Sequence, residues 1–555
     1  MIRAKAVSSL EKIMLTNKLG DFSQVTVLPA ARGERVSFQV IAEDPVEAGV
    51  KRAMGLHLSL RSGLSRHIRG YWVGQVPAQM PVYAERYSGE YITAEPGLIP
   101  DVLFPLKKQK YYTQPYSLVN FWFTVELPEE LEPGKYPVYI TLTGAADGVA
   151  AKVKVVIDVK KAVIAKSDLK YTQWFHCDSI ADYFGVKMQS RRHWQLMERF
   201  IATAAHTGIT MLLTPIFTPP LDTAIGTYRP TMQLVDMAKN GDSYTFGFEK
   251  LERWVELCKK YGIRYFEMAH LFTQWGACAT PKIEATVGGK KERIFGWDVP
   301  SDSPAYADFL RQFLPALVAE LDRLGIKENC YFHISDEPVK GSDRPDYVNY
   351  AYAKELVKPL LSGCRIMDAL SHVDFFDNGL IEYPVPATDK ITPFLERDMQ
   401  ERWCYYCCGQ GQDVANRFLA MPSFRTRVTG VQLYMQDMEG FLQWGFNFYY
   451  SRHSEFKIDP YQITDGFHAW PAGDPFSVYP YEDGAIESLR TVVFYEGLQD
   501  RMLLKALEAK IGGEAVKAMV REIAGCQVTF AECLDAHTLT SIHDRALELL
   551  DKPII

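Results

Sequence analysis

The segment "CYFHISDEPVK" (330–340) runs from apolar residues into His333 and Ser335, then into two adjacent carboxylates, Asp336 and Glu337, closed by Pro338. Two neighbouring carboxyl groups resist double ionisation, so one stays protonated and can serve as an acid. Glycosidic bonds are broken by this kind of acid/base work. In the usual retaining arrangement, however, two carboxyls bracket the anomeric carbon roughly 5–5.5 Å apart. Adjacent residues have α-carbons only ~3.8 Å apart and lie on one side of the ring. One arrangement suits neighbours: a 2-acetamido sugar attacks its own C1 with the amide oxygen. The protein then supplies one acid/base and one carboxylate for the amide N–H. The plain structural alternative is a solvated turn in which Asp336 caps a following helix.

The elements around this segment decide between the two. Short apolar strands alternate with amphipathic segments after Ala162. Strands are predicted at 170–178, 209–215, 263–271, 329–338, 364–371, 380–389, 402–409 and 440–448. Helices are predicted at 193–208, 248–262, 305–325 and 346–361, with a long one at 485–512. In the second helix Phe248, Leu251, Trp254, Val255, Cys258 and Tyr261 recur at helical spacing. Eight strand–helix repeats predict a (β/α)8 TIM barrel, which places Asp336 and Glu337 at the catalytic end of strand four. Residues 1–162 show short alternating segments such as "RVSFQVIAED", "NFWFTVELP" and "YPVYITLTG", separated by Gly, Pro and Asp. They predict an antiparallel β-sandwich. The expected division is therefore a sandwich over 1–162 and a barrel with a C-terminal helical segment over 163–555.

Other strand ends offer ligand-holding groups. Trp275 in "FTQWGA" and Trp297 in "FGWDVP" are candidate sugar platforms, since aromatic faces stack on sugar rings. Trp444 and Asn447 sit on strand eight, and Trp444 could wall an acetamido methyl. Tyr406, with Tyr405 as its alternate, could donate to an acetamide carbonyl. Only one of the two faces inward. Arg229 and His372 are candidates for sugar hydroxyls. His333 shares a face with Ser335 and reads as a hydrogen-bonded core histidine. Strand seven, "WCYYCCGQ", carries no carboxylate.

With 555 residues, 47% hydrophobic and 23% charged, the chain has the composition of a large globular protein. The net charge of −7 is spread along the chain, and no basic run suggests nucleic acid. There is no G-x-G-x-x-G after the first strand, no P-loop and no H-E-x-x-H, and the histidines lack metal-ligand spacing. The expectation is no cofactor and no metal. The N-terminus lacks a signal-peptide pattern and no long apolar span occurs, which predicts a cytoplasmic, membrane-free protein unless a leader was trimmed. The ten cysteines fit a reducing compartment, and "CYYC" (404–407) is read as buried, inert thiols.

"HISDEP", "YTQWFHCDSIADYF", "TPIFTPPLDTAIG", "AHLFTQWGA" and "GFLQWGFNFYY", with the N-terminal "AARGERVSFQV", together resemble the family-123 glycoside hydrolases. The resemblance spans nearly the whole chain. It implies a retaining exo-acting β-N-acetylgalactosaminidase with an N-terminal β-sandwich, a catalytic TIM barrel and a glycan or glycoconjugate substrate. It implies that Glu337 is the acid/base and that Asp336 orients and stabilises the 2-acetamido group. Two other readings stand beside it. One is a glycosidase of other specificity, with Asp178, Glu267 or Asp368 partnering Glu337. The other is a non-catalytic carbohydrate-binding protein.

Overall fold

The computed structural model describes residues 2–43, 55–113, 117–144, 150–339 and 345–553. The N-terminal part is two five-stranded sheets. One runs in the order Arg3–Ser8, Arg35–Glu43, Val119–Glu126, Ile68–Ala78, Gly97–Pro105. The other runs Val27–Arg32, Ala150–Val163, Gly134–Gly144, Gly55–Ser62, Tyr111–Tyr112. All pairings are antiparallel except Val27–Arg32 beside Ala150–Val163, which is parallel. Alternation explains the layering. In "VNFWFTVE", Phe121, Phe123 and Val125 enter the core between the sheets. Trp122 points the other way, onto Leu489, Val492 and Val493 of the helix Leu489–Ile511. Both faces of this strand are therefore covered, and it is buried from Val119 to Val125.

The barrel strands are Lys170–Gln173, Met211–Thr214, Tyr265–Met268, Cys330–Phe332, Arg365–Ala369, Tyr383–Val385, Trp403–Tyr405 and Gly440–Gln443, here strands one to eight. They form one parallel sheet in the order 6-5-4-3-2-1-8-7. Strands six and seven nearly close the ring through one parallel bridge, Ala387 to Tyr405, where the Tyr405 N–H donates to the Pro386 carbonyl at 3.0 Å. Alternate residues divide between two layers. Met211, Leu213, Tyr331, Met367, Trp403, Tyr405 and Leu442 fill the barrel. Leu212, Phe266, Cys330, Phe332, Cys404, Tyr406 and Phe441 face the surrounding helices.

Full helices follow strands one to four, seven and eight: Arg191–His206, Glu249–Lys260, Pro304–Arg323, Asp346–Val357, Ser423–Met435 and Leu489–Ile511. After strands five and six the expected helices shrink to single turns, Asp374–Asp377 and Thr392–Leu395. Those connections are short, and Pro386 directly after strand six resists a helical start there. A four-stranded sheet between strands two and four was not expected: Asp236–Asn240, Ser243–Gly247, Ile283–Val287 and Lys290–Phe295. Segments such as "KKERIF" carry too little apolar alternation to announce a strand. Among the described residues no helix is long and apolar enough to cross a membrane.

The helices behind strands seven and eight cross at two glycines. A Cβ on Gly430 would stand 1.6 Å from the Gly497 carbonyl oxygen, and one on Gly497 would stand 2.3 Å from that of Arg427. The buried Arg427 guanidinium meets both carboxylate oxygens of Asp500 at 2.7 and 2.9 Å beside this crossing. Neither backbone can retreat without opening the barrel wall. Gly430→Ala should therefore destabilise the protein by about 3 kcal/mol or more in a denaturation experiment. Gly513→Ala, where a Cβ meets nothing nearer than 3.7 Å, should be close to neutral.

Candidate active site

The floor of the site is a buried chain of charge. His333 points into the barrel just beyond strand four. Its Nε2 lies 2.7 Å from Glu267 Oε1 on strand three, and its Nδ1 lies 2.9 Å from Asp368 Oδ1 on strand five. All three side chains are fully buried. Burial alone would strip the imidazolium proton, but the bonds to Asp368 and Glu267 raise the histidine to about 10. Glu267 also accepts from Trp174 Nε1 at 2.7 Å and Thr172 Oγ1 at 2.6 Å. Asp368 accepts from the Tyr350 hydroxyl at 2.5 Å and from the Ile334 N–H at 3.1 Å. His270 stacks on His333 with ring centroids 4.3 Å apart. Burial and the adjacent His333 charge push it well below the usual histidine range. His270, His333 and Asp368 bring ligand atoms within 4.8 Å of one another. Both nitrogens of His333 are already committed to carboxylates and its ring lies parallel to His270, which does not suit a metal centre.

Asp336 and Glu337 rise from this floor. In an extended strand, neighbours point to opposite faces. Here Glu337 takes φ +43°, a left-handed turn, and both carboxyls line one cavity. The turn is pinned on each side. The Glu337 N–H donates to the Ala369 carbonyl at 3.0 Å, and the Asp336 carbonyl accepts from the Trp275 N–H at 2.7 Å. Ser335 donates to the Thr273 carbonyl at 2.8 Å and accepts from the Ala277 N–H at 3.1 Å. The "FTQWGA" and "HISDEP" segments are thus one hydrogen-bonded unit. Burial raises Asp336 well above the usual carboxylate range, and the charge of Glu337 raises it further. Burial also raises Glu337, opposed by the hydrogen bond it accepts from the Tyr405 hydroxyl at 2.6 Å. The pair titrates together and holds a proton more tightly than isolated carboxyls do.

The cavity has a volume of about 360 Å³, within the range of small-molecule sites. Of the expected site residues, the structure brings Asp336, Glu337, Trp275, Tyr405 and Trp444 to it. The Trp444 indole N–H donates to Asp474 Oδ2 at 2.8 Å, and its ring packs between Phe448 and Trp470 at centroid distances of 5.2 and 5.0 Å. Burial raises Asp474 to about 7 although it accepts from Trp444.

Five expected residues need correction. Tyr406 faces the outer layer, against Phe441, because strand alternation gives the inward place to Tyr405. Trp297 sits in a separate crevice with Pro219, Pro220 and Pro281, carried there by the inserted sheet. His372 is exposed before the short turn after strand five and does not line the cavity. Arg229 is buried, grips both oxygens of Asp178 at 2.7 and 2.6 Å, and holds His176 Nδ1 at 3.2 Å. Asn447 exchanges two hydrogen bonds with the His176 backbone, at 2.9 and 3.0 Å, and anchors a loop instead of a ligand. His176 itself lines the cavity. Burial, then Arg229, keeps it well below the usual range, so it is neutral. With Nδ1 accepting from Arg229, its Nε2–H donates to the Trp444 carbonyl at 3.1 Å. The thiol reading also changes in part. All ten cysteines are free and Cys404 is buried, but Cys407 and Cys408 reach the cavity.

Sequence reading missed Asp222, Trp174, Gln274, Phe448, Arg452 and Trp470 as lining residues, and Tyr83 of the sandwich with them. Tyr83 arrives on the connection between Ile68–Ala78 and Gly97–Pro105, and its hydroxyl donates to the Ala469 carbonyl at 2.7 Å. Loop residues of this kind leave no periodic signal. "TPPLDTAIG" and "HAWPAG" offered only composition.

A structure of a family 123 glycoside hydrolase from Clostridium perfringens, described for glycolipid glycan hydrolysis, superposes with a TM-score of 0.74 at 15% identity, covering 99% of both chains. A Parabacteroides merdae β-glucuronidase matches at a TM-score of 0.31 and 8% identity, over 85% of this chain and 50% of that one. A β-galactosidase described as putative from Bacteroides fragilis matches at 0.27 and 12%, over 79% and 58%. No curated protein matches the sequence. Residues 174–507 match the model of the glycoside hydrolase 123 catalytic domain, and the chain belongs to that family.

Proposed function

We propose that the protein is a retaining exo-β-N-acetylgalactosaminidase in which the substrate's acetamido oxygen is the nucleophile. The observation that carries this reading is the site's uneven supply of carboxylates. Strand seven brings a tyrosine, Tyr405, to Glu337 where a carboxylate nucleophile would be needed. The candidate partners of the rival reading are committed elsewhere: Asp178 to Arg229, Glu267 and Asp368 to His333. The family resemblance supports the galacto configuration. The Clostridium perfringens relative supports a glycolipid headgroup as the first substrate class to test. The sandwich over 1–162 and the barrel over 163–555 act as one unit in this reading, because Tyr83 completes the cavity wall.

The acetamide oxygen attacks C1 while the glycosidic C1–O bond breaks, and Glu337 gives its proton to the departing oxygen. The intermediate is an oxazolinium whose N–H is held by Asp336. Water then attacks C1, the oxazolinium C1–O bond breaks to restore the acetamide, and the proton lost by the water passes to Glu337. Tyr405 serves the acid and not the acetamide: its hydroxyl holds Oε1, which leaves Oε2 for the leaving group. Trp444, Phe448 and Trp470 give the apolar wall an acetamido methyl requires.

Glu337→Gln should abolish hydrolysis of glycosides with poor leaving groups and spare the first step on activated aryl glycosides. Equal loss across leaving groups, with that step rate-limiting, rules out the acid role. Asp336→Asn removes the anion beside the developing positive charge. It should lower kcat on the order of 10²–10³-fold with little change in KM, and near-normal kcat in the folded variant returns the pair to a turn. A thiazoline mimic should inhibit competitively, and a 2-fluoro sugar should leave no covalent adduct by mass spectrometry.

The pH profile has a defined sign. The acid must be protonated, so activity falls as pH rises through the Glu337 pKa. The Tyr405 bond lowers that pKa against the effect of burial. Tyr405→Phe should therefore move the alkaline limb of kcat/KM to higher pH while lowering the maximum. An unmoved or downward-shifted limb excludes Tyr405 as a donor to the acid.

A further inference from the structure

We propose that Asp222 and Arg452 together read a non-anomeric hydroxyl of the sugar bound in the cavity, making them specificity-determining residues of the site. This rests on the glycosidase reading above. Asp222 lies in the loop after strand two, and Arg452 in the loop after strand eight, and both line the cavity. Neither takes part in the acid/base steps.

The carboxylate is held from one side only. Its Oδ2 accepts from the His453 N–H at 2.8 Å, and its backbone carbonyl accepts from the Ser454 hydroxyl at 2.7 Å. Its own N–H donates to the Gln274 side-chain oxygen. These bonds fix a left-handed backbone at Asp222, φ +43°, against two more left-handed residues, His453 at +59° and Ser454 at +55°. Strain of this kind persists only where the surroundings enforce it. The effect is to aim a side chain whose second oxygen, Oδ1, has no hydrogen-bond partner among the described residues. Arg452 is equally free: its guanidinium makes no ion pair or hydrogen bond among the described residues.

A free acceptor and a free donor in one cavity, not bridged to each other, are complementary to a hydroxyl group. The hydroxyl donates its proton to Asp222 Oδ1, and its oxygen accepts from the Arg452 guanidinium. An anionic substituent would suit Arg452 but be repelled by Asp222, and an amine would suit only Asp222. The contact lies within reach of the ring being cleaved, because Asp222 and Arg452 line the same cavity of about 360 Å³ as Asp336 and Glu337. Burial leaves Asp222 at about 6, the mark of a carboxyl short of partners. A hydroxyl would supply the missing hydrogen bond.

The test compares a hydroxylated aryl 2-acetamido-β-glycoside with its 3-, 4- and 6-deoxy analogues on wild type, Asp222→Asn and Arg452→Gln. In wild type, one deoxy analogue should lose on the order of 10²-fold or more in kcat/KM. In both variants that penalty should fall below about tenfold, while penalties at the other two positions are kept. If both variants keep all penalties, or lose the same factor on the parent and every analogue, Asp222 only anchors its loop and the proposal falls. Arg452 is exposed, so Arg452→Gln decides alone should Asp222→Asn fail to fold. If wild type prefers glycosides lacking the acetamido group, the proposed mechanism fails. The same deoxy comparison on that glycoside then still decides the roles of Asp222 and Arg452. A 2-fluoro-sugar adduct on Asp222 would overturn both.

Discussion

The structure depends on the hydrogen-bonded triad Glu267–His333–Asp368 in the dry interior of the barrel. Three ionisable side chains from strands three, four and five are buried together, which is costly unless each is paired and hydrogen-bonded. Here each is. His333 bridges the two carboxylates, Trp174 and Thr172 complete Glu267, and Tyr350 with the Ile334 N–H completes Asp368. The triad fixes the register of strand four against both neighbours at the point where the strand ends. Three residues later the chain must turn sharply and present two carboxyls to one cavity, so any slack in the floor would be passed to the Asp336–Glu337 pair. Its charges also act through space: His333 lowers the Asp336 pKa and Asp368 raises it.

A second buried pair ties the sandwich to the same site. Arg490, on the helix Leu489–Ile511, meets both oxygens of Asp101 in strand Gly97–Pro105 at 2.9 Å. The same guanidinium donates to the Gly473 carbonyl at 2.6 Å and the Phe476 carbonyl at 3.1 Å. Between those carbonyls lies Asp474, which holds the Trp444 indole. A line of direct hydrogen bonds thus runs from the sandwich to the apolar wall of the cavity. Nearby, Tyr83 and Met80 grip the Asp465–Ala469 turn that precedes Trp470. Sandwich and barrel are therefore mechanically one object at the cavity wall.

Much of this was legible in the sequence, for reasons that can be named. The eight parallel strands announce themselves as short apolar runs because a parallel sheet is buried on both faces. The adjacent carboxylates and the Trp275 loop are visible as clusters of chemistry at strand ends. What stayed hidden depends on direction and on long-range pairing. Tyr405 and Tyr406 differ only by strand phase, which a three-residue strand fixes through its pairing with strand eight, Tyr405 opposite Leu442, and a bridge to Ala387. Arg229 looks like a ligand-binding arginine until Asp178 is brought against it by the fold. Trp297 was displaced by a polar inserted sheet that no periodicity marks. Asp222, Arg452 and Tyr83 come from three loops far apart in the chain.

The loops also explain why adjacent carboxylates can work at all. Among the described residues, eight of the thirteen non-glycine residues with positive φ lie in loops that line the cavity: Asp222, Trp275, Ala277, Glu337, His453, Ser454, Phe467 and His468. Each costs of order 1–3 kcal/mol in isolation. Such a concentration is tolerable because the elements beneath are over-determined by buried ion pairs and tight helix crossings. At Glu337 the strain has a direct chemical product. A regular strand would send Asp336 and Glu337 to opposite faces. The left-handed turn returns Glu337 to the side of Asp336, and the Ala369 and Trp275 contacts lock it there. Two carboxyls on one side of a sugar cannot bracket its anomeric carbon. They can serve a leaving-group oxygen and an amide N–H that lie on the same side, and that is the geometry a neighbouring acetamido group demands.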